Sequence, residues 1–330
     1  MKKNLLRLHT LLVVTILTLV ASIPLWAAER QYEWSNVSRI VAVGDVHGDY
    51  DQMVKCLKAN GVIDDNNKWI GGKTHLVQVG DIMGRGPDSK KAMDLLMDLE
   101  SQAKDAGGAV HALIGNNDAF MLRGFYQNLY RTEAEPYGGM DAFKKAMTAE
   151  GKYGKWIRAH NTVIKINDIL FLHAGFSPKY ATMSLQTINN NITESLGRDI
   201  VEDRDGPLST RHMGEGDDNK VREALLPAIK NFGIQHIVIG HTTTPSQVIE
   251  LKANGGVIMI DVGMSKTNSS KPGNPAAGPA MSLLIENGRF YAVTPEEKKE
   301  LMVKKNVSEN AMLQQYLLLH VRLPLVSAHL

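Results

Sequence analysis

The 330-residue chain carries 37 Lys plus Arg against 35 Asp plus Glu, a formal charge of +2, with 43% hydrophobic and 22% charged residues. This composition excludes a disordered chain, a fibre and a disulfide scaffold, and the length allows one large domain or two small ones, each able to bury a core. Cys56 is the only cysteine, so no internal disulfide is available and stability must come from packing or from metal.

At the N-terminus, Lys2, Lys3 and Arg7 precede an apolar run from Leu11 to Trp26, which ends at Ala27 and Ala28 before Glu29, Arg30 and Gln31. A charged start, an apolar middle and a small-residue end are the order of a secretory signal peptide. Residues 1–28 therefore read as removable and the mature protein as periplasmic or secreted, with no stable membrane span. An uncleaved N-terminal anchor is the competing reading. Cleavage turns the formal charge from +2 to −1, because Lys2, Lys3 and Arg7 leave and no acid does. The mild basicity belongs to the address, and nucleic acid is not an expected partner.

From Arg39 the chain alternates short β-branched runs with longer helical patterns, as layered α/β domains do. Ile40–Val43 ends in Gly44-Asp45, and a helix follows over Asp49–Asn60, where Cys56 beside Met53 and Leu57 reads as a buried structural thiol. Leu76–Val79 ends in Gly80-Asp81, with a helix over Asp88–Ala106; Val110–Ile114 ends in Gly115-Asn116. The stretch from Leu122 to His160, rich in tyrosine, is too long for a connection and reads as a small helical cap. Thr162–Ile166 and Ile169–Leu172 flank an Asn167-Asp168 turn, and the second run ends in His173-Ala174-Gly175. After a helix over Asp218–Phe232 come His236–Ile239 before Gly240-His241, then Gln247–Leu251, and Val257–Ile260 before Asp261. Ser265–Pro279 reads as a loop, and Ser282–Ile285 with Phe290–Val293 flank a hairpin Asn287-Gly288. The Glu-Glu-Lys-Lys-Glu run after Pro295 predicts a solvated helix opening an extension over 296–330, in which Leu317–Leu330 has no clear period. Residues 29–295 thus form the expected domain.

The chemistry lies at the strand ends: Asp45 and His47 in GDVHG, Asp81 in GDIMGRG, Asn116 in GNND, His173 in HAG and His241 in GHT. Strand ends of an α/β sheet converge on one crevice. A set of His, Asp and Asn with no thiolate suits Mn, Fe, Zn or Mg and disfavours copper. Each short motif alone is weak; five in this order, each after an apolar run, are specific.

The motif string over residues 39 to about 263 resembles the calcineurin-like metallophosphoesterases, within them the phosphoprotein phosphatase branch and particularly the bacterial Shewanella-like phosphatases. The resemblance implies an α/β sandwich of two mixed sheets flanked by helices, and two divalent cations, manganese foremost. It assigns Asp45, His47 and Asp81 to one cation, with Asp81 bridging to a second completed by Asn116, His173 and His241. Thr243 stands where the wider family has another His, as in the narrower branch. The resemblance also implies in-line attack by a metal-activated hydroxide on a phosphate monoester of a protein or small molecule, with Arg85 and Arg211, the latter in GPLSTR, neutralising the phosphoryl oxygens.

Two positions depart from the family. Asn117 stands where a general-acid His is expected, and Gly84 where an Asp would orient that His. An amide cannot deliver a proton as imidazolium does, so a contribution of typically ~10²- to 10⁴-fold is missing unless His212 or His111 supplies it. Three functions fit: an exported phosphomonoesterase favouring aryl or phosphotyrosine-like leaving groups, a phosphodiesterase or nucleotide pyrophosphohydrolase, and a catalytically weak metal- or phosphate-binding protein. Filling of all six ligand positions favours an enzyme. For the N-terminus, intact-mass measurement of the exported protein should show loss of the first 27 or 28 residues; a full-length cytoplasmic product would overturn the signal-peptide reading.

Overall fold

A computed structural model describes residues 30–196, 201–267 and 277–304. The chain divides into two compact units, Met1–Gln31 and Tyr32–Leu330; only Arg30 and Gln31 of the first are described. The signal-peptide segment, the middle of the Ser265–Pro279 stretch and residues 305–330 lie outside the described residues.

Among the described residues, twelve strands form two mixed six-stranded sheets. In the first, β1 (Glu33–Trp34) lies beside β5 (Val163–Ile166), followed by β6 (Ile169–Leu172), β7 (His236–Ile239), β9 (Val257–Met259) and β8 (Glu250–Lys252). In the second, β12 (Lys298–Leu301), β11 (Arg289–Val293) and β10 (Ser282–Glu286) run up to β2 (Arg39–Val43), β3 (His75–Gln78) and β4 (Ala109–Ala112). The inner strands are buried along their length, β2 through Ile40, Val41, Ala42 and Val43 and β6 through Ile169, Leu170, Phe171 and Leu172. This is why they read as continuous apolar runs rather than alternating ones.

Strands β2, β3 and β4 are parallel and are joined by the helices Tyr50–Ala59 and Ser89–Asp105; β6, β7 and β9 are parallel in the other sheet. Parallel strands place all their C-terminal ends on one side. That puts Asp45, Asp81 and Asn116 of one sheet beside His173, His241 and Asp261 of the other. Glycines allow the two sets to touch: a Cβ on Gly240 would run into Asp45 Oδ1, and one on Gly80 would crowd His173 Nδ1 at 3.0 Å.

Between Leu122 and His160 the chain forms a short 3₁₀ turn at Glu135–Tyr137 and helices at Met140–Met147 and Lys152–Arg158, with Phe143 fully buried between Tyr126 and Tyr137. Cys56 is buried, and desolvation pushes its thiol up to about 12, so it is chemically inert.

Several elements differ from the sequence reading. The charged run after Pro295 begins with an edge strand, not a helix: β12 pairs antiparallel with β11, Arg289 bonds Glu300 and Lys298 reaches Glu286 at 3.3 Å. Cross-strand charge pairs and a ladder of backbone bonds outweigh the helical preference of Glu and Lys, and the charges also guard the sheet edge. The strand expected at Gln247–Leu251 is confined to Glu250–Lys252, because Gln247 adopts φ 56° and cannot extend the ladder. Strand β1 and the helices Asn116–Leu122 and Leu185–Ser195 escaped the periodicity reading.

Candidate metal centre

The six strand-end residues meet in one cluster, with Asp45, His47, Asp81 and His173 buried and Asn116 and His241 half-buried. Ligand atoms of Asp45, His47 and Asp81 all lie within 4.8 Å of one another. His47 Nε2 is 3.8 Å from Asp45 Oδ2 and 3.6 Å from Asp81 Oδ2. On the other side of Asp81, its Oδ1 is 3.5 Å from His173 Nε2, which in turn lies 2.9 Å from Asn116 Oδ1. His241 Nδ1 completes this second group, 3.2 Å from both Asn116 Oδ1 and His173 Nε2. The Asp81 carboxylate therefore faces two groups at once.

The ring nitrogens fit a cation and little else. His47 Nδ1 faces the Met83 carbonyl at 3.2 Å and His173 Nδ1 the Val79 carbonyl at 3.1 Å; His241 is bonded by the Ser209 backbone. A carbonyl only accepts, so each ring spends its N–H there and turns a lone pair inward. These lone pairs meet carboxylate and amide oxygens, a converging set of acceptors that repel one another unless a cation lies among them. Protonation is no remedy, since burial holds His47 well below its ordinary value and lowers His173 to about 3 and His241 to about 2.

The acids carry the complementary strain. Burial raises Asp81 to about 7 despite hydrogen bonds from Asn117, and burial followed by repulsion from Asp261 and Asp81 raises Asp45 well above the carboxylate range. Buried carboxyls this close ionise together only beside positive charge. His47, Asp81 and His241 also adopt left-handed backbone angles, φ 47°, 55° and 61°. Such conformations cost of order 1 to 3 kcal/mol each and persist only where surrounding structure imposes them.

Two acids beyond the predicted six build the site. Asp118 is buried and accepts three backbone N–H groups, from Asp81 (2.8 Å), Gly115 (2.9 Å) and Met83 (3.0 Å). It ties the Asp81 loop to the start of the helix Asn116–Leu122 and thereby aims Asp81 and Asn116 at each other. Asp261, at the end of the strand run beginning at Val257, is buried and accepts from the Thr243 hydroxyl at 2.8 Å. Its signal was visible, an apolar run ending in an acid, but no short motif marked it. Thr243 serves here as a donor to that acid.

Arg85 stands exposed at φ 68° with its N–H bonded to the Asn128 carbonyl, and its charge lowers the tendency of Asp45, Asp81 and Asp261 to hold a proton. Arg211 bears on His173, His241 and Asp261 in the same way, and its Nη1 lies 3.4 Å from Thr242 Oγ1. A cleft of about 880 Å³ opens beside His241 and Arg211, with Phe120 and Phe125 on its wall.

Gly84 and Asn117 are in contact: a Cβ at Gly84 would lie 3.2 to 3.5 Å from Asn117 side-chain atoms. The Asn117 amide donates to Asp81 Oδ2 at 2.5 Å, its backbone N–H to Asp81 Oδ1 at 2.8 Å, and its Oδ1 accepts from Asn128 Nδ2 at 2.9 Å. The two proposed substitutes for an acid are elsewhere. His111 is buried against His75, 3.1 Å away, and against the Trp34 ring; His212 is held to the Lys220 carbonyl at 2.7 Å.

Because Asp118 binds three N–H groups, Asp118→Asn leaves a donor facing a donor. It should cost about 2 kcal/mol in urea unfolding and lower metal content in the purified protein. An unchanged denaturation midpoint and metal content would remove Asp118 from this supporting role.

A family model described as calcineurin-like phosphoesterase matches residues 38–245. The chain is 28% identical over 252 residues to Shewanella-like protein phosphatase 1 of Plasmodium berghei, covering 71% of this chain and 69% of that one. It is 25% identical over 289 residues to Shewanella-like protein phosphatase 2 of Arabidopsis thaliana, covering 72% and 74%. The crystal structure of the cold-active protein-tyrosine phosphatase of a psychrophilic Shewanella species superimposes with a TM-score of 0.70 at 26% identity, over 82% of this chain and 83% of that one. Matched through every strand that ends in one of the six predicted residues, this chain belongs to the calcineurin-like phosphoesterase family and is a metal-dependent phosphatase.

Proposed function

We propose that the protein is an exported phosphomonoesterase in which Asp45, His47 and Asp81 hold one divalent cation, Asp81, Asn116, His173 and His241 hold a second, and aryl or phosphotyrosine-like esters are the preferred substrates. The observation that carries the reading is the Asp81 carboxylate, whose two oxygens face the two histidine groups separately. Cations bound there supply Lewis-acid polarisation of the phosphoryl group and a water acidic enough to attack at neutral pH; manganese, iron, zinc and magnesium all suit the donors.

The chain's own side chains do the rest. The carbonyl-anchored rings of His47, His173 and His241 present fixed lone pairs without having to lose a proton. Arg85 and Arg211, whose charges both reach the cluster, can neutralise charge that grows on the phosphoryl oxygens, a guanidinium fork matching two oxygens at once. Asn117 occupies the acid's place with both ends of its amide engaged, so it steadies Asp81 and has no proton to give. The leaving oxygen then departs largely unprotonated, and its own stability sets the barrier.

A phenol has a pKa near ~10, far below an aliphatic alcohol, so aryl esters need the missing acid least. The Shewanella neighbour's description as a protein-tyrosine phosphatase supports this preference. A second reading, nucleotide pyrophosphohydrolase, draws on a symmetrical bis(5'-nucleosyl)-tetraphosphatase of Legionella pneumophila that is 26% identical over only 48% of this chain.

Two measurements test the proposal. Elemental analysis should find both metal sites depleted in Asp81→Asn, with His47→Ala and His241→Ala each losing about one equivalent; full loading and activity in Asp81→Asn would overturn the shared carboxylate. Across substituted phenyl phosphates, kcat/KM should fall steeply as leaving-group pKa rises, with phosphoserine peptide slower than phosphotyrosine peptide by ~10²-fold or more. Asn117→His should make the series shallower. A flat series, or faster turnover of a dinucleoside polyphosphate, would overturn the aryl reading.

A further inference from the structure

The cleft beside His241 is larger than a phosphoryl group and one aromatic ring require, since about 880 Å³ lies toward the upper end of the range that accommodates a whole drug-sized ligand. Four charged side chains line it, Glu202, Arg204, Arg211 and Glu215. Three are matched within the protein. Glu202 pairs with Arg123 at 3.6 Å, and that guanidinium also stacks over the Phe125 ring at 4.7 Å. Arg211 pairs with Glu215 at 3.3 Å. Arg204 is the exception: it is exposed, and among the described residues no carboxylate lies within ion-pair distance of it. Its neighbour Asp203 is turned away, accepting from Lys179 Nζ at 3.0 Å and from the Tyr180 hydroxyl at 2.9 Å.

We infer that Arg204 determines specificity by binding a second anionic group carried on the leaving-group portion of the substrate. This rests on the phosphomonoesterase reading and extends it. The phosphoryl charge is met by the metal cluster with Arg85 and Arg211, so a further guanidinium in the same cleft answers an anion elsewhere on the substrate. Phe120 and Phe125 line the same cleft and offer an apolar body its contact. A guanidinium binds carboxylate and phosphate alike through its planar fork. The anion is therefore either an acidic side chain beside a phosphorylated residue or a second phosphate on a small aryl ester.

The experiment compares wild-type, Arg204→Ala and Arg204→Glu proteins, loaded with metal, on phosphotyrosine peptides flanked by Glu, Ala or Lys, on an aryl bisphosphate and on its aryl monophosphate counterpart. Wild type should favour Glu-flanked over Ala-flanked peptide, or bisphosphate over monophosphate, by about 5-fold in kcat/KM, with the preference shrinking as salt is raised. The arm that shows it identifies the anion. Arg204→Ala should bring that ratio close to one, and Arg204→Glu should invert it toward Lys-flanked peptide. Absence of any preference in wild type, or its persistence in Arg204→Ala, overturns the inference. If wild type hydrolyses no ester, the phosphatase reading is what fails. The same peptides made with a non-hydrolysable phosphonate then test Arg204 separately, by the affinity ratio of Glu- to Ala-flanked forms. Thermal melts establish that the exposed substitutions leave the fold intact.

Discussion

Everything at the working end of this protein follows from burying carboxylates and imidazole lone pairs together. Asp45, Asp81 and Asp261 are each almost fully removed from water, and the three histidines of the cluster are anchored so that they offer acceptors rather than protons. In a low-dielectric pocket that arrangement is repulsive unless positive charge enters it. Among the described residues no lysine bears on these acids to relieve the repulsion. The cluster's acceptors leave the centre open to a metal, and Arg85 and Arg211 act from outside, where their field lowers the hold of the acids on a proton.

Holding such a cluster against its own repulsion needs support that the ligands do not supply. Three backbone N–H groups clamp Asp118, a Thr243 hydroxyl holds Asp261, and carbonyls of Val79 and Met83 orient two of the rings. Left-handed backbone at His47, Asp81, Arg85 and His241 shows where the loops are bent to bring the side chains in. The bends are affordable because both sheets lock the preceding residues into fully buried strands.

Positions 84 and 117, where the resemblance to the family leads one to expect an Asp and a His, are neighbours in the fold. Gly84 and Asn117 touch, so the pair of positions that would make an acid dyad is still a pair, now packed as a glycine against an amide. Restoring an Asp at 84 would place it on a backbone of φ 82° and within van der Waals distance of residue 117, so the present backbone suits the glycine. Asn117 engages both oxygens of Asp81, through its amide and its backbone N–H.

Strand runs such as Ile40–Val43 and His236–Ile239 were legible because burial on both faces makes them uninterrupted, and the residues ending them were legible because parallel strands must deliver their ends to one side. Asp45, His47, Asp81, Asn116, His173 and His241 could therefore be named from order alone. The charged segment at 298–301 misled, since its partner strand lies in β11 and only pairing gives Glu and Lys a reason to extend. Asp118, Asp261 and Arg204, which has no carboxylate partner among the described residues, were hidden for a similar reason. Local sequence determines which residues end a strand, but whether a neighbouring carboxylate clamps three amides, or a guanidinium lacks a partner, depends on chain segments far apart in sequence. Those relations exist only once the two sheets have packed.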